Sequence, residues 1–175
     1  MEFTFLAETK LPGQIVLTAQ GGYTWLDPRQ ITYDSLFTTK VGKTNVYGSD
    51  STTFLKYRYE HMVKGDLELK RKNISLGATF RYTSRMVNID AIFDSHDPNQ
   101  GSLLDILFPP GLGISDYRDH HPNGDVIIDV RAGYTVNRHF DVTFIVKNVS
   151  NHIFMQRPAD MQPPRIFALQ LVSKF

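Results

Sequence analysis

The chain has 175 residues, 19 Lys and Arg against 18 Asp and Glu for a net charge of +1, and no Cys. A charge this close to neutral gives no field that would draw it to nucleic acid, and without thiols there are no disulfide frameworks, thiolate zinc sites or cysteine nucleophiles. The longest apolar runs, such as Ile15, Val16 and Leu17, fall far short of the ~20 residues a membrane helix requires, and the mean hydropathy is -0.26; a barrel that crosses with strands stays open.

Taken in chain order, the recurring signal is alternation with period two, the pattern of a strand whose successive side chains point to opposite faces. The first eight residues lack a basic start and an unbroken apolar core, so they do not read as a secretory signal, and an exported protein starting here is expected to lack its leader. Phe3, Phe5 and Ala7 begin the alternation loosely, and Ile15, Leu17, Ala19, Gly21, Tyr23 and Trp25 continue it after a turn containing Pro12 and Gly13. Segment 55–70 is the clearest. Leu55, Tyr57, Tyr59, His61, Val63, Gly65, Leu67 and Leu69 share one face, while Lys56, Arg58, Glu60, Lys64, Asp66, Glu68 and Lys70 share the other with Met62 as the one apolar exception.

A short turn at 71–73 leads to Ile74, Leu76, Ala78, Phe80 and Tyr82, opposed by Ser75, Gly77, Thr79, Arg81 and Thr83. The fifth segment sets Val126, Ile128, Val130, Ala132 and Tyr134 against Asp125, Ile127, Asp129, Arg131 and Gly133. After a turn at 137–139, Phe140, Val142, Phe144 and Val146 alternate with Asp141, Thr143, Ile145 and Lys147, and the chain closes on Phe167, Leu169, Leu171, Ser173 and Phe175. Seven strands are expected.

Short and long connections strictly alternate. The long ones, 27–54, 94–123 and 149–164, are rich in Asp, Asn, Ser, Gly and Pro and exceed the length usual in compact domains. This is the layout of an up-and-down membrane barrel, with short periplasmic turns and long extracellular loops. Several segments reach the ~9 to 11 residues a tilted strand needs to cross a bilayer. Tyr23, Trp25, Tyr57, Tyr59, Tyr82 and Phe167 at the outer boundary, with Tyr134, Phe140 and Phe175 at the inner one, would form two aromatic girdles. The polar face then lines an interior, with Arg58, Lys64, Asp66, Arg81, Asp129 and Arg131 as its candidate lumen-facing charges. Alternation alone also fits a soluble, ligand- or carbohydrate-binding sandwich whose apolar face is its core.

Outside the strands, the chemistry is sparse. Residues 101–110 read as a short loop helix, with Ser102 as cap, Asp105 in the first turn and Pro109 and Pro110 as the stop. Asp119, His120, His121 and His152 invite a metal reading, but adjacent histidines cannot both aim at one centre in an extended chain and no i, i+4 spacing supports them, so no metal is expected. Asp90, Asp94, Asp97 and Asn99 lack the spacing of a calcium loop, and 111–116 reads as loop punctuation. No nucleophile, base and orienting group stand at recognisable spacing, so neither an enzyme nor a cofactor is expected.

The last third resembles the C-terminal signature of TonB-dependent outer-membrane receptors: a strand ending in an asparagine-rich turn, a short loop to Pro-Arg, and an alternating final strand stopping on an aromatic. Asn148, Asn151, Arg157, Pro158, Pro164, Arg165 and Phe175 occupy the matching places. The stretches 55–70 and 82–90 also look like that family's barrel, so the resemblance covers nearly all of residues 1–175. It implies an all-β, antiparallel up-and-down transmembrane barrel segment, incomplete here, from a barrel of about 22 strands closed by an N-terminal plug. It implies active import of a siderophore, vitamin or glycan, energised by the inner-membrane TonB complex through sequence absent here. It also implies that barrel-assembly machinery reads the final strand through Phe167, Leu169, Leu171 and Phe175. The remaining partners would be outer-membrane lipid and the rest of barrel and plug. Physics agrees that the segment is incomplete, since seven antiparallel strands leave the first and last running the same way, whereas bacterial single-chain barrels have even counts.

Overall fold

The computed structural model describes residues 1–29, 54–89, 114–158 and 160–174. The anticipated loop helix at 101–110, the acidic residues Asp90, Asp94, Asp97 and Asn99, and Phe175 lie outside them. The described chain forms a single seven-stranded antiparallel sheet in sequential order, from β1 (Glu2–Leu11), β2 (Ile15–Trp25) and β3 (His61–Arg71) through β4 (Ile74–Thr83) and β5 (Asp125–Thr135) to β6 (Phe140–Lys147) and β7 (Ile166–Ser173). One short helix, α1 (Ile114–His120), precedes β5. The sheet does not close, because β1 pairs only with β2 and β7 only with β6.

Register pairs like with like. Phe5 faces Gly21, Gly21 faces Gly65, Gly65 faces Phe80 and Phe80 faces Ile128, all on the apolar side. Farther along, Ala132 faces Phe144 and Phe144 faces Leu169. A slip of one residue on any strand would turn its apolar set to the other side, so the stripes hold the register across the whole sheet.

Among the described residues, no layer covers the apolar face. Leu67 is 53% exposed, Leu76 52%, Ile128 40%, Phe5 61% and Leu169 65%. A sandwich would hide these side chains. The buried apolar residues among those described are Met86, Ile89, Ile114, Ile127 and Met155, and they gather instead at the end of the sheet where the long connections lie, here called the rim.

The tight turns sit at the opposite end. Lys72 takes a left-handed φ of 49° in the β3–β4 hairpin. In the β5–β6 turn, the Asn137 side-chain oxygen accepts from the backbone N–H groups of His139 at 2.8 Å and Phe140 at 3.0 Å, the local bonding that suits Asn to turns.

Two local expectations are corrected. Strand β3 begins at His61, not at 55, because Tyr57 adopts φ 60°, which breaks the pleat. Tyr57 and Tyr59 accordingly leave the girdle position and pack on the rim cluster of Met86, Ile89, Ile114 and Met155, where their rings gain burial that the bare face cannot give. Residues 114–120, partly read as loop punctuation, form α1 instead, with Asp116 in the first turn and Arg118 and His120 in the last, charges that favour the helix dipole.

Candidate functional site

The rim is assembled from three separated stretches: the approach to β3, the 84–89 and α1 segments between β4 and β5, and the β6–β7 connection. Ile114 and Arg118, one helical turn apart, are both buried on the inner face of α1, and Arg118 Nη1 donates to the Met86 carbonyl at 2.9 Å. Gly124 follows α1 with φ 85°. A Cβ there would stand 2.1 Å from the Thr83 carbonyl oxygen, so only glycine lets the chain enter β5 beside the end of β4.

Asn148 and Asn151 shape the β6–β7 connection. Both are left-handed, with φ 51° and 55°, a region asparagine enters more readily than most residues. The Asn148 amide clamps His152 from both sides, accepting from its N–H at 2.9 Å and donating to its carbonyl at 2.8 Å. Asn151 accepts from the Arg165 N–H at 2.9 Å, tying the start of the connection to its end just after Pro164. Arg157 and Pro158 line a rim cleft with Lys56, Tyr57 and Arg58. Four of the signature residues are thus joined through this loop's own bonds or adjacency, while Arg157 and Pro158 stand apart at the cleft.

At the centre of the rim, Asp125 opens β5 and is buried. One of its oxygens accepts a short hydrogen bond from the Tyr117 hydroxyl, and the other accepts from His152 Nε2 at 2.8 Å. His121 stacks on Tyr117 with ring centroids 4.3 Å apart and meets the His152 ring edge-on at 4.9 Å. His120 and His121 do diverge, each bonding the carbonyl four residues back, those of Asp116 and Tyr117. Sequence spacing nevertheless missed that His121 meets His152 and Asp125, because the partners come from different connections. Burial, and then the bond to Asp125, pushes the Tyr117 phenol far above its ordinary range. Tyr59, whose hydroxyl donates to the Gln156 carbonyl at 2.7 Å, is pushed up to about 12, by burial first and by the charges of Asp125 and Asp160 after it.

The polar face carries its own network. Arg131 reaches across β4 to grip Asp66 with two bonds, Nη1 to Oδ2 at 2.7 Å and Nη2 to Oδ1 at 2.9 Å, and Thr79 donates to the same carboxylate at 2.7 Å. The path is open because Gly77 has no side chain: a Cβ there would sit 2.5 Å from the guanidinium. Arg81 donates to Asp129 at 3.3 Å, and the other Asp129 oxygen accepts from the Asn148 N–H at 2.8 Å. Lys64 stands on this face across from Arg81. Arg58 lies before β3, so its direction follows the rim and not the strand alternation. Phe167, Leu169 and Leu171 stand out on the apolar face at 64%, 65% and 69% exposure.

No family model matches the chain, and no curated protein matches it either. Among solved structures, the chain is similar to the closed form of the ferric-catecholate import receptor Fiu from E. coli K12, with a TM-score of 0.50 and 16% identity. The match covers 99% of this chain and 27% of that one, so the chain spans about a quarter of that receptor's length. At this identity, the likeness is one of fold alone.

Proposed function

We propose that this chain forms part of the barrel wall and outer rim of a TonB-dependent outer-membrane import receptor, in which it serves uptake of a siderophore, vitamin or glycan and has no catalytic role. One observation carries the reading. The sheet presents a continuous bare apolar band on one face and ion-paired charges, Asp66 with Arg131 and Asp129 with Arg81, on the other. Each large apolar side chain taken out of water is worth ~1.5 to 3 kcal/mol, and so broad a patch requires a cover. Lipid fits it, because the band runs along strands of 8 to 11 residues, close to the ~9 to 11 that cross a bilayer.

The fold resemblance to a ferric-catecholate receptor supports the same reading. The open edges of β1 and β7 call for further strands, since each backbone group left unpaired in hydrocarbon costs several kcal/mol and two edges expose on the order of ten. Completion of the barrel, a plug in its lumen, energy from the inner-membrane TonB complex and recognition of β7 by barrel-assembly machinery all belong to this proposal.

The test is cell fractionation of the protein expressed from its natural coding region. It is expected in the outer membrane, resistant to extraction by high salt and carbonate, and with different gel mobility before and after boiling in detergent. Recovery as a soluble monomer without detergent would overturn the reading.

A further inference from the structure

We infer that His121, Asp125 and His152 form a site for a divalent transition-metal ion of the zinc type, fastening the β6–β7 connection to the start of β5. One nitrogen from each histidine and an Asp125 oxygen lie within 4.8 Å of one another. An ion bound at ~2.0 to 2.2 Å from each donor holds its ligands roughly 3.3 to 3.5 Å apart. Small side-chain rotations bring the three donors to that spacing. Two imidazoles and one carboxylate suit zinc, nickel or copper better than magnesium or calcium, which prefer all-oxygen shells. Three protein ligands leave a fourth position for water or an exogenous donor.

The surroundings favour this over a chance meeting of side chains, because every ligand is already oriented. The His121 Nδ1–H donates to the Tyr117 carbonyl at 2.7 Å, which leaves Nε2 as the lone pair a metal takes. This carbonyl-to-imidazole bond is the usual outer support of a metal-bound histidine. The Tyr117 hydroxyl holds one Asp125 oxygen, leaving the other directed at His152. Asn148 fixes the His152 backbone by two bonds. On binding, the neutral His152 ring carries its proton on Nδ1 instead of Nε2, and the ion, taken by the freed Nε2 lone pair, replaces the hydrogen bond to Asp125. The same three side chains without metal make one hydrogen bond and one ring contact, which gives no account of so complete a supporting shell.

The inference stands apart from the import reading, since all three ligands belong to this chain whatever covers the sheet. The experiment is titration of chelator-stripped protein, extracted from membranes in mild detergent, or in buffer should it prove soluble, with Zn2+ by calorimetry and with Co2+ by visible absorption. One Zn2+ per chain is expected, with the intense Co2+ bands of a four-coordinate site. H121A and H152A should each lose stoichiometric uptake, while H120A, which alters an exposed neighbour, should keep it. Should the variants fold poorly, Zn2+ is expected to shield His121 and His152 of the unaltered protein from a histidine-acylating reagent while leaving His120 reactive. Absence of a stoichiometric Zn2+ site, uptake unchanged in H121A and H152A, or acylation of all three histidines at equal rates with Zn2+ present would overturn the inference.

Discussion

Asn148 concentrates several functions in one residue. Its backbone is left-handed, its N–H bonds Asp129, and its side chain spans the His152 peptide groups. Alanine would keep the strained backbone and lose the clamp, so N148A is expected to destabilise the folded protein by about 2 kcal/mol, combining the loss of two hydrogen bonds with left-handed strain. Glycine relieves the strain but not the lost bonds, so N148G should fall between the two in urea unfolding. Equal stability of all three proteins would mean that the turn holds without its side chain. The rim phenols make a second residue-level prediction. Tyr59 is pushed up to about 12 and Tyr117 higher still, whereas both ionise near 10 in the unfolded chain. A folded pKa above the unfolded one gives stability that is complete below pH 10 and is lost as pH rises through the folded value. Stability should therefore fall progressively above about pH 10. Tyrosinate absorption should show a late-titrating component from Tyr59 and Tyr117, and Y117F should reduce it.

At the scale of elements, β3, β4 and β5 are joined on their polar side by a side chain that crosses the middle strand. Arg131 passes over Gly77 to Asp66. G77A would push the guanidinium away and D66N would remove its partner's charge, so both break the same paired bond and each is expected to cost ~1.5 to 3 kcal/mol. Because they act on one interaction, the double variant should cost little more than either alone; additive losses in thermal unfolding would show that Gly77 matters for another reason. The strands themselves were legible because period two is a direct imprint of the pleat, and the stripes through Leu67, Leu76 and Ile128 reappear in register. What was not legible sits at the rim. The alternation through Tyr57 and Tyr59 continued the pattern of β3, but a left-handed Tyr57 ends it, and no local signal records that their rings find Met86 and Met155. His121, Asp125 and His152 likewise meet only through tertiary closure of two connections, which spacing along one of them cannot reveal.

For the whole molecule, the question is what covers the apolar face, and arginine placed at graded depth answers it. A lipid environment penalises a charge most at the bilayer midplane, by ~2 to 4 kcal/mol, and by ~0 to 1 near the interfaces. A protein cover would instead penalise each position by its own packing. Val130 lies at the centre of β5 and Ile128 nearer the rim, both on the bare face, 37% and 40% exposed. V130R should therefore impair folding into membranes more than I128R, even though the two side chains are about equally exposed. Gly133, although on the polar face, is a poor control, because a Cβ there would lie 2.4 Å from Ser75 Oγ. Gln20 is better: it sits at the centre of β2, exposed on the polar face and paired with Asp66. Q20R should shift stability by no more than ~0.5 kcal/mol, as a surface change does. Measured by reversible unfolding from lipid vesicles, the order V130R, then I128R, then Q20R is what a bilayer dictates. Equal losses at Val130 and Gln20 would mean that the two faces see the same surroundings, and the barrel-wall reading would fail with them.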